Sequence, residues 1–115
     1  MFDFEKLDVY HKSKQHYKEV VSFLSRTRTD RFLADQLRRA SLSIMLNIAE
    51  GTGRLTKRDK NRFFIIARGS VFECAAIFDH LTDLHPSLEN NCKLFRLKLE
   101  ELSKMLFSMM KVNSE

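Results

Sequence analysis

Residues that break secondary structure are scarce, with one proline and three glycines in 115 residues. So few turn formers make long helices the economical reading. Cysteine occurs only twice, as Cys74 and Cys92, which excludes a disulfide framework and suits a reducing cytoplasm. No stretch approaches the ~20 apolar residues that a membrane span needs. The opening MFDFEKLDVY has no basic segment followed by an apolar run, so no signal peptide is expected.

What remains is a globular balance of 43% hydrophobic and 30% charged residues, enough for one domain over residues 1–115. The net charge of +5 is unevenly spread. Between Arg26 and Arg68 there are eleven Lys/Arg and four Asp/Glu, while the remainder is slightly acidic. A local basic excess fits an anionic partner, commonly nucleic acid, or simply a solvated surface.

Apolar periodicity predicts four helices. The first spans about 7–27, with Tyr10, Tyr17, Val20, Val21 and Leu24 on one face and Lys12, His16 and Glu19 opposite. The second runs from an Asp30 N-cap to Glu50, with Leu33, Leu37, Ala40, Ile44 and Ile48 as its stripe and Gly51 as its C-cap. The third spans about 57–85, starting at Thr56 and Asp59 and ending before Pro86. Its seam is Phe63, Ala67, Ser70, Cys74, Ile77, Leu81 and Leu84. The fourth spans about 87–112, with Leu88, Cys92, Phe95, Leu99, Leu102, Leu106 and Met109. Short connections between long helices predict an all-α, antiparallel up-down four-helix bundle.

The third helix has too many apolar sides. Ile65, Gly69, Phe72 and Ala76 lie opposite its seam, and Phe64, Val71 and Phe78 lie beside it. A helix apolar all round is a buried helix, and four helices of one copy do not readily cover its back. Ile65, Gly69, Phe72 and Ala76 are therefore candidate contacts with another copy, Gly69 permitting close approach. The competing reading is one broad core face.

Chemistry-bearing motifs are weak. Asp8-x-x-His11 is an unpaired fragment of a carboxylate-bridged metal site, and His16, His80 and His85 lack ligand-like partners, so no metal is expected. The histidines read as surface or half-buried residues. Both cysteines fall on core seams, where they act as small apolar residues. Gly51-Thr-Gly53-Arg54-Leu55-Thr56-Lys57 lacks the ending of a phosphate loop and follows a helix, so no nucleotide site or other cofactor is expected. No grouping of acid, base and nucleophile points to an enzyme.

Two constellations stand out. Lys57, Arg58, Lys60 and Arg62 crowd a helix N-terminus, where the macrodipole is already positive and the amides suit anions. With Arg38, Arg39, Arg54 and Arg68 they form a candidate basic rim for RNA or DNA backbone; compensation by acids of other helices is the alternative. The second is a polar line on the second helix, Gln36, Arg39, Ser43, Asn47 and Glu50. It reads as an interhelical or intersubunit hydrogen-bond network with Arg39 and Glu50 at its ends.

The stretch Gln36-Leu37-Arg38-Arg39-Ala40, Ser43-Ile44, Asn47-Ile48-Ala49-Glu50-Gly51 and Gly53-Arg54 resembles the bacterial 23S rRNA intervening sequence proteins. Gly69-Ser70, Glu73 and Leu7-Asp8-Val9-Tyr10 extend the resemblance over essentially the whole chain, Tyr10 standing where the family often has tryptophan. The resemblance implies an antiparallel four-helix bundle assembled into a ring-like homopentamer. It also implies kinship with accessory proteins of diversity-generating retroelements, which bind nucleic acid and a reverse transcriptase. The family name records a genomic location and assigns no molecular role. The expected partners are thus further copies of the chain, with RNA, DNA or another protein as candidates, and no membrane.

Overall fold

The computed structural model describes all 115 residues. A 3-10 turn at Asp3–Lys6 leads into α1 (Asp8–Arg26), α2 (Arg31–Thr52) and α3 (Lys57–Leu84); a second 3-10 turn at Pro86–Leu88 leads into α4 (Glu89–Ser114). The starts follow local chemistry. The Asp30 carboxylate accepts the Leu33 N–H at 3.1 Å, and the Thr56 hydroxyl accepts the Asp59 N–H at 3.1 Å. Each supplies an acceptor to one of the amides that a helix start leaves unpaired. Pro86 follows the last residues of α3 because it has no N–H to continue the ladder.

Cross-links between helices run in opposite chain directions. Ser70 meets Ser43, while Gly51, further along α2, faces Phe64, earlier in α3. Asn61 reaches Met110 and Arg68 reaches Ser103, so α3 and α4 oppose one another as well. Lys12 pairs with Glu101 and Glu19, further along α1, with Lys98, earlier in α4, so α1 and α4 are antiparallel too. The molecule is a four-helix bundle, and no helix is long and apolar enough to cross a membrane.

The core matches the expected faces of α2 and α4 and departs from them on α1 and α3. Leu37, Ala40, Ile44 and Ile48 are buried, as are Cys92, Phe95, Leu99, Leu102 and Leu106. On α3 the buried line is Phe64, Ala67, Val71, Cys74, Phe78 and Leu81. This face is rotated by roughly one sixth of a turn, at ~100° per residue, from the seam through Phe63, Ser70 and Ile77. Burying two phenylalanines and a valine removes more apolar area from water than burying one phenylalanine, an isoleucine and a serine. Ser70 then lies half-buried, where its hydroxyl finds a partner, and Leu84 is exposed. On α1 the buried line is Val9, Ser13, His16, Val20, Phe23 and Leu24, so His16 is inside rather than on the outer face.

Gly51 does not cap α2. It lies within the helix, buried, and no glycine has a positive φ. A Cβ there would sit 2.7 Å from Cε1 of Phe64, whose ring is itself buried. Gly51 therefore lets α2 and α3 converge near their shared turn. Gly69, by contrast, meets nothing within 4 Å, so no close approach occurs there inside the chain. For Gly51→Ala, overpacking against a confined ring costs ~1–3 kcal/mol, which outweighs the ~1 kcal/mol gained in helix propensity. Urea melts should show a lower midpoint for the variant; an unchanged or higher midpoint would mean that Phe64 yields freely.

Candidate nucleic-acid interface

The end of the bundle where α2 turns into α3 gathers five of the eight candidate cations. α2 closes with the Gly53 N–H on Glu50 O at 3.2 Å and the Arg54 N–H on Gly51 O at 3.2 Å. The Thr56 cap then starts α3 at once, placing Arg54, Lys57, Arg58, Lys60 and Arg62 around one helix N-terminus with only Glu50 and Asp59 as nearby acids in sequence. Arg54 donates to Glu50 at 2.8 Å and lies over the Phe63 ring at 4.4 Å. Arg62 pairs with Asp59 at 3.4 Å and flanks the same ring at 5.9 Å. Lys60 is half-buried and donates to the Thr52 carbonyl at 2.8 Å, satisfying an orphan carbonyl at the end of α2. Lys57 and Arg58 are exposed and enter no ion pair.

Each cation beside a positive helix end is unfavourable by a few tenths to ~1 kcal/mol. Here Arg54, Lys60 and Arg62 have neutralising or carbonyl partners, whereas Lys57 and Arg58 keep that cost. The resulting surface combines two free cations with the amides of a first helical turn, a geometry suited to an oxyanion.

The other three cations lie elsewhere. Arg39 is exposed and unpaired, and Arg38 pairs with Asp35 at 3.1 Å. Both are roughly 22 Å up α2 from Arg54, at 1.5 Å per residue. Arg68 is half-buried as a clamp between α3 and α4; its Nε donates to Ser103 O at 3.3 Å, and its guanidinium lies over Phe72 and Phe107 at 5.0 and 5.4 Å. A single copy therefore presents a basic end and separate arginines, not one continuous rim of eight.

The polar line on α2 is divided in the same way. Asn47 donates to Ser43 O at 2.9 Å and to Ser43 Oγ at 3.0 Å, and Ser70 Oγ donates to Ser43 Oγ at 2.9 Å. This trio links α2 to α3. Glu50 pairs with Arg54 instead of ending a network with Arg39, and Gln36 and Arg39 make no side-chain hydrogen bond. Ile65 and Phe72 are 56% and 58% exposed, and Gly69 and Ala76 are also exposed. The apolar back of α3 is thus uncovered in the single chain rather than part of one broad core face.

No group of three or more His, Cys, Asp or Glu side chains is placed to hold a metal ion. Burial pushes the Cys74 thiol up to about 12 and also raises Cys92, so neither is activated as a thiolate. The group that sequence reasoning missed is His16. It is 2% exposed, both ring nitrogens lack a partner, and burial lowers its pKa to about 4. The spacing Val9, Ser13, His16, Val20 and Phe23 alternates four and three, a signal masked by its two polar members.

The family model for the 23S rRNA-intervening sequence protein matches residues 5–108. The chain belongs to that family. The match to the 23S rRNA-intervening sequence protein model spans the basic end, the Asn47–Ser43–Ser70 trio and His16 together. No curated protein matches the chain.

Proposed function

We propose that this chain is a non-enzymatic, oligomeric binding module whose α2–α3 end contacts the phosphate backbone of RNA or DNA. The observation that carries the reading is the pair Lys57 and Arg58, exposed and unpaired at a helix N-terminus. Such contacts release counterions, so affinity should fall steeply as salt rises. Fluorescence anisotropy with a labelled duplex tests this. Lys57→Glu with Arg58→Glu should weaken binding by on the order of tenfold per lost contact and flatten the salt slope by about two contacts. Wild-type protein that fails to bind at low salt, or binds indifferently to salt, would leave the alternative reading: a protein-interaction scaffold whose cations serve solubility or an acidic partner.

Oligomerisation rests on the uncovered apolar surface. Ile65, Phe72 and Phe107 form one exposed set on α3 and α4, and Phe32 and Leu46 are separate apolar side chains toward the two ends of α2, all more than half exposed. Unlike apolar surfaces on one chain suit a heterologous, head-to-tail contact, which gives a ring, such as the pentamer that the resemblance implies, where the rotation closes. A ring would also repeat the basic end, building from several copies the rim that one copy lacks. Light scattering on Ile65→Lys with Phe72→Lys should return the mass of one chain, and wild type a multiple of it. Wild type at single-chain mass across micromolar concentrations would end the assembly reading.

A further inference from the structure

We propose that the cleft between α1 and α4, around His16, is a binding site for a small, uncharged molecule carrying a hydroxyl or carboxamide group. The cleft is half open and offers about 210 Å³, room for a few heavy atoms beyond a single water. His16 and Leu102 line it from within, and charged side chains line its edges. Both imidazole nitrogens are buried without a hydrogen-bond partner, although nearly all buried polar groups in folded proteins have one. The ring is held edge-on to Phe95 at 5.9 Å with an interplanar angle of 87°, so its orientation is fixed by packing.

Charge accounting selects the ligand class. Lys12 pairs with Glu101, and Lys98 pairs with Glu19 at 2.5 Å, while Gln15 donates to Glu19 at 3.1 Å. The two ion pairs strap α1 to α4 on either side of His16, roughly 10 Å apart along α1 at 1.5 Å per residue. Every charge at the cleft edge already has its opposite. A carboxylate or an ammonium entering there would strand one member of a pair, whereas a neutral group strands none. The neutral imidazole offers one N–H and one lone pair, and a carboxamide or hydroxyl answers either because it both donates and accepts. Neither nitrogen is open to solvent in this conformation, so binding requires an exposed strap to swing aside, and surface ion pairs of this kind are weakly held.

The test is a titration of the full-length, ¹⁵N-labelled protein with acetamide, observed through the His16 ring nitrogens. The expected result is a saturable shift of those nitrogens that is absent for acetate and methylammonium. A second measurement on His16→Phe, which keeps a ring against Phe95, should show that saturable shifts at neighbouring α1 and α4 amides are lost. No saturable change up to high millimolar acetamide, an ordered water only, would overturn the site. Saturation by acetate or methylammonium instead would overturn the assignment of ligand class. Neither result depends on whether the α2–α3 end binds nucleic acid.

Discussion

Replacing Phe78 with alanine should destabilise the fold by about 3–5 kcal/mol, the range for truncating a buried phenylalanine. The side chain is fully buried, stacks on Phe95 at 4.6 Å and 8°, and approaches Phe23 at 6.2 Å. Phe23 in turn lies edge-on to Phe95 at 5.3 Å. These three rings come from α1, α3 and α4, and they join α1 to the rest of the bundle across the centre, where the α1–α4 surface is otherwise bridged by ion pairs. Alanine at 78 would leave Phe23 and Phe95 facing a void that a helix-supported backbone cannot close. At about 4 °C per kcal/mol for a domain of this size, the melting temperature should fall by roughly 15 °C. Leu94→Ala is the comparison, because Leu94 is 62% exposed and the change should stay within about 0.5 kcal/mol. Thermal melts by circular dichroism give both numbers, and equal shifts for the two variants would contradict the aromatic junction.

Phe78 also shows where the sequence is legible and where it is not. Helix number, the Asp30 and Thr56 starts, and the faces of α2 and α4 follow from local rules, because capping and amphipathic spacing are properties of a single helix. On α2 and α4 one apolar line runs the length of the helix, and it is the one buried. α3 offers two adjacent lines, and the choice between Phe63–Ser70–Ile77 and Phe64–Val71–Phe78 depends on what Phe23 and Phe95 bring from other helices. Periodicity within α3 cannot see those partners. Gly51 belongs to the same class: its proximity to Phe64 exists only once α2 and α3 are packed. The basic end is readable because Lys57, Arg58, Lys60 and Arg62 are neighbours in sequence, while Arg38, Arg39 and Arg68 join it only if several copies share a surface. His16 is the opposite case, since its own polarity masks the four-and-three spacing it shares with Val9, Val20 and Phe23.

That enclosure predicts a specific acid sensitivity. An unfolded histidine titrates near 6.5, whereas burial holds His16 at about 4 in the folded chain. The folded pKa is the lower one, so the unfolded chain binds the proton more tightly, and acid favours unfolding. The stability in question is fully present above pH 6.5 and is lost progressively as pH falls toward 4. At ~1.36 kcal/mol per unit, the loss over that window is about 3 kcal/mol. The charges beside the ring do not rescue it: Glu19 favours the cation, but Lys98, its ion-pair partner, opposes it. Glu19 adds acid sensitivity of the same sign at lower pH. Burial works against its ionised form, yet hydrogen bonds from Lys98 and Gln15 outweigh it and hold the carboxyl below its ordinary value. His16→Phe removes the histidine contribution and leaves the Lys98 and Gln15 hydrogen bonds that hold Glu19 down, so the difference between the two urea-derived stability profiles reads chiefly the ring. Wild type should lose stability relative to the variant by about one kcal/mol per pH unit between 6.5 and 4, and parallel profiles would show that the imidazole is hydrated in the folded chain.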